Sequence, residues 1–176
     1  MLAPASIAIA RDSKVFTAVA RTFASLKTLA SAIGETPGQR RFYLPLDWNG
    51  PDQFVDGLSS HLYQLEPPSL VIAWLHDPNL GPRIANTVSN CGSHCDFFHV
   101  LGSSAASPLN DTVALRSQVD LGKALNYYQV VLGFQQTEGV SRWLTNDEIS
   151  IGVLDAVSAR HPLYVIGITR PWNAHP

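Results

Sequence analysis

The sequence has little charge and little cysteine, and it lacks the runs that mark membrane or nucleic-acid-binding proteins. Charged residues make up only 15% of 176, and 12 Lys+Arg against 14 Asp+Glu give a formal net charge of −2. The longest basic cluster is Arg40-Arg41, so neither nucleic acid nor an anionic membrane is expected as a partner. No apolar run approaches the roughly 20 residues that span a bilayer. Two cysteines make no disulfide framework, which favours a reducing, cytoplasmic location.

Apolar residues are plentiful, at 45% of the chain, and can build one large core. At this length the whole chain, 1–176, is predicted to form a single domain. The first ten residues lack the positive charge of a signal peptide, and Pro4 suits the first position of a helix. The chain is therefore predicted to begin on a helix.

Strand-like and helix-like segments alternate along the chain. Apolar or β-branched runs of strand length lie at 14–20, 41–46, 69–75, 97–101, 127–132 and 163–168. Helical spacing predicts helices over 3–12, over 26–33, after Pro51, over 84–95, around 112–125, and after the capping-box sequence Thr145–Glu148. This order predicts a three-layer, Rossmann-like α/β fold with a parallel sheet and helices on both faces. The apolar run 69–75 is predicted to be buried on both faces.

Ligands of such sheets bind beyond the carboxyl ends of the strands. The residues that follow the predicted strands are Arg21-Thr22, Asp47, Leu75-His76, Gly102-Ser103-Ser104 and Gly133. Because parallel strands end at the same edge, these residues are predicted to form one site.

Taken together, these segments resemble the short-chain dehydrogenase/reductase superfamily, specifically its small, divergent Rossmann members. The resemblance covers essentially the whole chain and is carried by Val-Ala-Arg21-Thr, Leu-Val-Ile-Ala-Trp-Leu-His76, Phe-His-Val-Leu-Gly-Ser-Ser104, and the run from Leu-Gly-Phe134 to Ser-Arg-Trp-Leu-Thr-Asn-Asp-Glu148. It implies an NADP-dependent oxidoreductase that moves a hydride to or from a small carbonyl or alcohol.

The resemblance also implies a set of cofactor contacts. Arg21 matches the position whose guanidinium contacts the adenosine 2′-phosphate, where an acidic residue would repel that phosphate and favour NAD. Asp47 matches an acidic residue near the adenine, and the alternative is an ordinary turn residue before Asn49-Gly50. The other implied cofactor contacts are Thr22, Ala73, Trp74, Leu75, Gly102 and Gly133.

For catalysis, the resemblance implies Ser103 or Ser104, which match the loop of the family's catalytic serine. His76 ends its strand at the same edge and is a further acid/base or ribose-binding candidate. The family's Tyr-x-x-x-Lys pair is absent, because no tyrosine has a lysine four residues later. Lys123 and Tyr127 have the reverse order and would share a helix face. A non-catalytic nucleotide-binding or scaffold protein is therefore the alternative.

The family's first strand and Gly-rich turn should precede the helix over 3–12, yet the chain has no Gly-x-Gly pair. That turn brings backbone N–H groups to the cofactor's pyrophosphate at a helix N-terminus. We therefore expect the first family strand to be missing between 14–20 and 69–75, and codons upstream of Met1 to encode it. Either the two flanking strands would then close up and pair with each other, or the protein would be fragile, form a homodimer, or contain water in the gap.

Two further patterns have simpler explanations. Cys91, His94 and Cys95 have helical spacing, but a structural zinc site needs four ligands and the sequence offers one cluster, so no metal is predicted. His99 lies within an apolar strand and is predicted to be a hydrogen-bonded core histidine. No Gly-x-Ser-x-Gly elbow supports a hydrolase.

Overall fold

Helices and strands alternate through most of the chain, as predicted. The computed structural model describes residues 1–102, 108–120, 124–171 and 174–176, and the side chains of 108–111 are outside this description. The elements are α1 (Ala3–Asp12), β1 (Val15–Ala20), α2 (Phe23–Ile33), β2 (Arg40–Pro45), α3 (Pro51–Leu62), β3 (Leu70–Trp74), α4 (Leu80–Ser89), β4 (Cys95–Leu101), α5 (Pro108–Ser117), β5 (Leu125–Leu132), β6 (Phe134–Thr137), β7 (Val140–Trp143), α6 (Asn146–Ala159) and β8 (Leu163–Ile166). Among these helices, none is long and apolar enough to cross a membrane.

The parallel strands fall into two groups separated by a gap. β1 pairs with β2, and β3, β4, β5 and β8 form a second sheet in that order, with every pair parallel. Within the described ranges, neither β1 nor β3 has a hydrogen-bonded partner on its second edge. The predicted α/β fold is confirmed, and the two strands that flank the expected missing strand do not pair with each other.

On one face, α1 joins the two groups of strands. It packs against β1, α2 and α6. The two residues that precede it, Met1 and Leu2, pack against the core cluster of Phe98 and Val130, and so does Ile72 of β3. This helix therefore covers the gap from one side.

On the opposite face, α3 makes the equivalent connection. Phe54 and Leu58 of α3 share a core cluster with Ala73 of β3. Thr17 of β1 lies 3.0 Å from His61 of α3, between Oγ1 and Nε2. β1 and β3 thus lie under common cover on both faces, although they do not contact each other through a hydrogen-bonded ladder.

The gap changes the burial of β3. All seven residues of β4 are buried. β3 is just as apolar, yet only Ala73 is buried and the other four residues are partly exposed. The prediction that helices cover both faces of 69–75 is confirmed, since Val71 and Ala73 pack in one core cluster and Ile72 packs against the other. Burial is incomplete because β3 has no neighbouring strand on one edge within the described residues.

The helix predicted over 84–95 ends at Ser89, and Cys95 begins β4 instead. Gly92 has a φ of 79°, a left-handed conformation that glycine adopts readily and that interrupts the helix. Cys91 and Cys95 therefore do not share a helix face. In the described part of the chain, no group of three His, Cys, Asp or Glu side chains is arranged to hold a metal ion.

Two other local predictions were incomplete. The helix expected around 112–125 is α5, which ends at Ser117, and Tyr127 lies in β5. Tyr127 therefore cannot share a helix face with Lys123, which is outside the described residues. The antiparallel hairpin of β6 and β7 was not predicted; it turns at Glu138 and Gly139, both with positive φ.

Candidate functional site

The carboxyl ends of β1, β2 and β3 are connected by a line of side chains across the gap. The Arg21 guanidinium lies 5.3 Å from the ring centroid of Trp48. The rings of Trp48 and His76 are 5.5 Å apart, and those of His76 and Trp74 are 4.8 Å apart. We call these four residues the aromatic bridge. Three of them, Arg21, His76 and Trp74, were predicted site residues, and the fold brings them together.

Trp48 is the member that sequence reasoning missed. Its only local signal is its place directly after Asp47, where β2 has ended. Its contacts come from two other loops, so no periodicity in the sequence could reveal them.

Arg21 is an exposed cation with a flat aromatic support. Stacking on Trp48 orients a guanidinium through the cation–π attraction and leaves its N–H groups at the edge. In the part of the chain that the structure describes, no carboxylate forms an ion pair with Arg21. The next residue, Thr22, caps α2, because its hydroxyl accepts the Ser25 N–H at 3.2 Å. Arg21 is therefore free to meet an anionic ligand.

Asp47 has the role of a turn residue. Its Oδ1 accepts the N–H of Asn49 at 3.0 Å, which is an Asx turn. This contact accounts for an aspartate at that position, and its implied contact with adenine stays a prediction.

Of the other residues predicted to contact the cofactor, some belong to the core and one borders the aromatic bridge. Ala73 is buried under α3, and Leu75 packs against the same core cluster, so their side chains belong to the core. Gly102 borders the aromatic bridge: a Cβ placed there would lie 3.8 Å from Nε1 of Trp74. Ser103 and Ser104, the implied catalytic serines, lie outside the described residues.

Gly133 is a packing position. A Cβ at this residue would lie 2.2 Å from the carbonyl oxygen of Ile168. Its own N–H donates to Ile166 O at 2.9 Å, and Phe134 N–H donates to Ile168 O at 3.0 Å. The close approach of two backbones explains the glycine without a ligand.

The N-terminus of α1 adds positive potential to the same edge. A two-residue link joins α1 to β1, so the helix runs antiparallel to the strand and begins at the strands' carboxyl ends. Its first turn contains no acidic residue, and Leu2 provides no side-chain cap. Uncapped N–H groups and the helix dipole favour an anion at this position.

The neighbouring strands β4 and β5 hold a buried histidine–tyrosine pair. Nδ1 of His99 is 2.6 Å from the hydroxyl of Tyr127, and the His99 side chain is 0% exposed. Burial lowers the pKa of His99 to about 4 and raises the pKa of Tyr127. The prediction that His99 is a hydrogen-bonded core residue is confirmed.

We expect this pair to make the fold acid-sensitive. The pKa of His99 falls from 6.5 in the unfolded chain to about 4 in the fold, so the unfolded chain binds the proton more tightly. The contribution of His99 to the free energy of unfolding should therefore be fully present above pH 6.5. As the pH drops towards 4, up to about 3 kcal/mol of it should be lost. Urea denaturation at a series of pH values measures this loss.

Two matched variants test whether His99 or another histidine causes the acid sensitivity. His99→Gln should flatten the pH dependence in this range, whereas the exposed His161→Gln should retain it. An unchanged slope in His99→Gln would show that another group carries the acid sensitivity.

Comparisons with known proteins agree with the fold. No family model and no curated protein matches the sequence. A solved short-chain dehydrogenase from Sphingobium yanoikuyae, in complex with NADPH, matches with a TM-score of 0.61 at 13% identity, covering 98% of this chain and 87% of that chain. The class that the fold defines is therefore α/β with a Rossmann-like parallel sheet. More particularly, its fold is similar to that of this solved short-chain dehydrogenase.

Proposed function

We propose that the carboxyl edge of this sheet binds NADP(H), and that the protein is an oxidoreductase acting on a small carbonyl or alcohol. The observation that carries the proposal is Arg21, a guanidinium directly after β1 that stacks on Trp48 and has no carboxylate partner among the described residues. A guanidinium of this kind suits a phosphate through two parallel hydrogen bonds. The structural neighbour was solved with NADPH, which supports the same class of ligand.

The residues present fit one end of this cofactor better than the other. Arg21 and the ring of Trp48 offer a charge and a flat surface for a nucleotide 2′-phosphate and its base. The α1 N-terminus offers N–H groups for the pyrophosphate, without the Gly-rich turn that would let the phosphates come close. We therefore expect NADP(H) to bind this chain weakly, with most of the affinity from the adenosine end.

If the protein is catalytic, bound NADPH supplies the hydride and the chain must position the substrate and move a proton. His76 is the proton carrier that the site favours, because it lies within the aromatic bridge between Trp48 and Trp74. Ser103 or Ser104 would polarise the substrate oxygen by donating a hydrogen bond.

A non-catalytic nucleotide-binding or scaffold protein is the second candidate, and the tyrosines favour it. Tyr127 is buried and its hydroxyl is paired with His99, away from the edge. No tyrosine in the sequence has a lysine four residues later to lower its pKa. We also propose a cytoplasmic protein, since both cysteines are free thiols. We further propose a homodimer, since β1 and β3 each have an unpaired edge within the described residues.

Replacing Arg21 tests the cofactor. Arg21→Ala is expected to weaken NADPH binding by about 10- to 100-fold, because a hydrogen-bonded pair of opposite charges contributes about 1.5–3 kcal/mol. NADH lacks the 2′-phosphate, so its affinity should change by about twofold at most. Calorimetric titration of both nucleotides, or quenching of tryptophan fluorescence, measures the two constants.

Arg40 provides the matched control. Its guanidinium also stacks on an aromatic ring, 5.6 Å from the centroid of Phe42, but at the start of β2. Arg40→Ala should leave the affinity for NADPH unchanged. Equal losses for both nucleotides in Arg21→Ala, or an equal loss in Arg40→Ala, would contradict the assignment of Arg21.

Turnover separates the two candidate functions. With NADPH and a panel of small aldehydes and ketones, an enzyme should show activity that Ser103→Ala or Ser104→Ala reduces by about 100-fold or more. His76→Asn should lower kcat while the KM for NADPH stays similar. NADPH binding without any turnover across the panel would favour the non-catalytic protein.

A further inference from the structure

A cleft lies at the edge of the sheet opposite to the aromatic bridge, where β3, β4 and β5 begin. Its volume is about 370 Å³. Its polar lining includes His94, Asp96, Asn126 and Arg160, and its apolar wall includes Leu70 and Val157. The strands of five to seven residues that separate it from the aromatic bridge span about 15–20 Å, so it is distinct from the proposed cofactor site.

Asp96 is the fixed centre of this cleft. Its side chain is 12% exposed, and its two oxygens accept from Nε of Arg160 at 2.9 Å and from Nδ2 of Asn126 at 2.8 Å. Nδ2 of Asn126 also lies 3.0 Å from Nε2 of His94. A largely buried carboxylate needs such partners. Asp96 therefore orients its neighbours and has little capacity left for a ligand of its own.

Arg160 keeps unused donors at the cleft. It ends α6 with a φ of 52°, a left-handed conformation that helices usually give to glycine. An arginine at such a position costs backbone strain that a glycine would avoid, which points to a function for its side chain. Nε is bonded to Asp96, while within the described residues no group hydrogen-bonds to either terminal nitrogen, Nη1 or Nη2.

We propose that this cleft binds a small monocarboxylate with a short apolar tail. Its carboxylate would accept two parallel hydrogen bonds from the terminal nitrogens of Arg160, the geometry that a guanidinium provides. The tail would lie against Leu70 and Val157. Because Asp96 already compensates the charge of Arg160, the pair supplies no excess positive charge to hold a dianion such as phosphate.

Titration of the isotope-labelled protein with butyrate tests the proposal by NMR. The methyl signals of Val157 and the Nε–H signal of Arg160 should shift and saturate, with a dissociation constant on the order of 1–10 mM for so small a ligand. At equal ionic strength, n-butanol and inorganic phosphate should cause no saturable shift at these signals. Absence of saturation by tens of millimolar butyrate, or equal shifts with phosphate, would overturn the proposal.

Two variants make the test specific. Arg160→Lys keeps the charge and loses the two parallel donors, so butyrate affinity should fall by about tenfold. The control Arg142→Lys alters an arginine that is bonded to both oxygens of Glu148 at 2.7 Å elsewhere in the fold, and it should leave the affinity unchanged. If Arg160→Lys binds butyrate within about twofold of the original chain while its other signals report an intact fold, the carboxylate is not held by Arg160.

Discussion

Gly81→Ala is expected to destabilise the protein by about 2–4 kcal/mol, although alanine is normally the better helix former by about 1 kcal/mol. A Cβ on Gly81 would lie 2.2 Å from Cε1 and 2.3 Å from Nε2 of His99. The ring cannot move aside, because His99 is completely buried and its Nδ1 is held by Tyr127. Either α4 shifts away from β4 or the pair separates inside the core, and both cost free energy. Urea denaturation measures the change in the free energy of unfolding.

A double-mutant cycle identifies the cause of this loss. Combined with His99→Val, which removes the ring, Gly81→Ala should cost much less than it does alone. Gly102→Ala is the matched control, because its Cβ would meet only Trp74 Nε1, at 3.8 Å, and it should change stability by about 0.5 kcal/mol or less. Additive effects of Gly81→Ala and His99→Val would contradict a direct clash.

The elements with strong local signals were predictable from sequence. α1 begins where Pro4 suggested, and Thr145 and Glu148 form the complete capping box at the start of α6, with hydrogen bonds in both directions. Such signals act between residues three or four apart, so the chain itself displays them. The continuous apolar run 97–101 likewise predicted a buried strand, and β4 is completely buried.

What the sequence could not show depends on contacts between distant segments. Arg21 and Trp48 meet because two strands end together, and Gly81 is required by a histidine 18 residues further on. Cys95 fits helical spacing equally well, and only the pairing of β4 with β3 and β5 decides that it begins a strand. The pairing partners of a strand, rather than its own residues, also decide the exposure of β3.

Fusing an apolar strand of six residues and a Gly-Gly-Thr-Gly turn in front of Met1 is expected to close the gap between β1 and β3. α1 begins at the carboxyl edge, so a strand leading into it would run parallel to both neighbours and form the usual right-handed crossover to β1. It would pair the two open edges and cover apolar side chains such as Val19, now 37% exposed. We expect a gain of about 3 kcal/mol or more, which raises Tm by roughly 6–12 °C.

The fusion also tests the missing strand and the cofactor site by two independent measurements. Amide hydrogen exchange at Val19 and Val71 should slow markedly when their strands gain a partner, independently of any nucleotide. NADPH affinity should rise as well, because the glycine turn brings backbone N–H groups to the pyrophosphate at the α1 N-terminus. A Gly/Ser extension of the same length, which cannot supply an apolar strand, should change neither quantity. Slower exchange without tighter NADPH binding would mean that the gap accepts a strand but that the edge is not an NADP(H) site. Unchanged exchange would mean that β1 and β3 are not spaced for a strand between them.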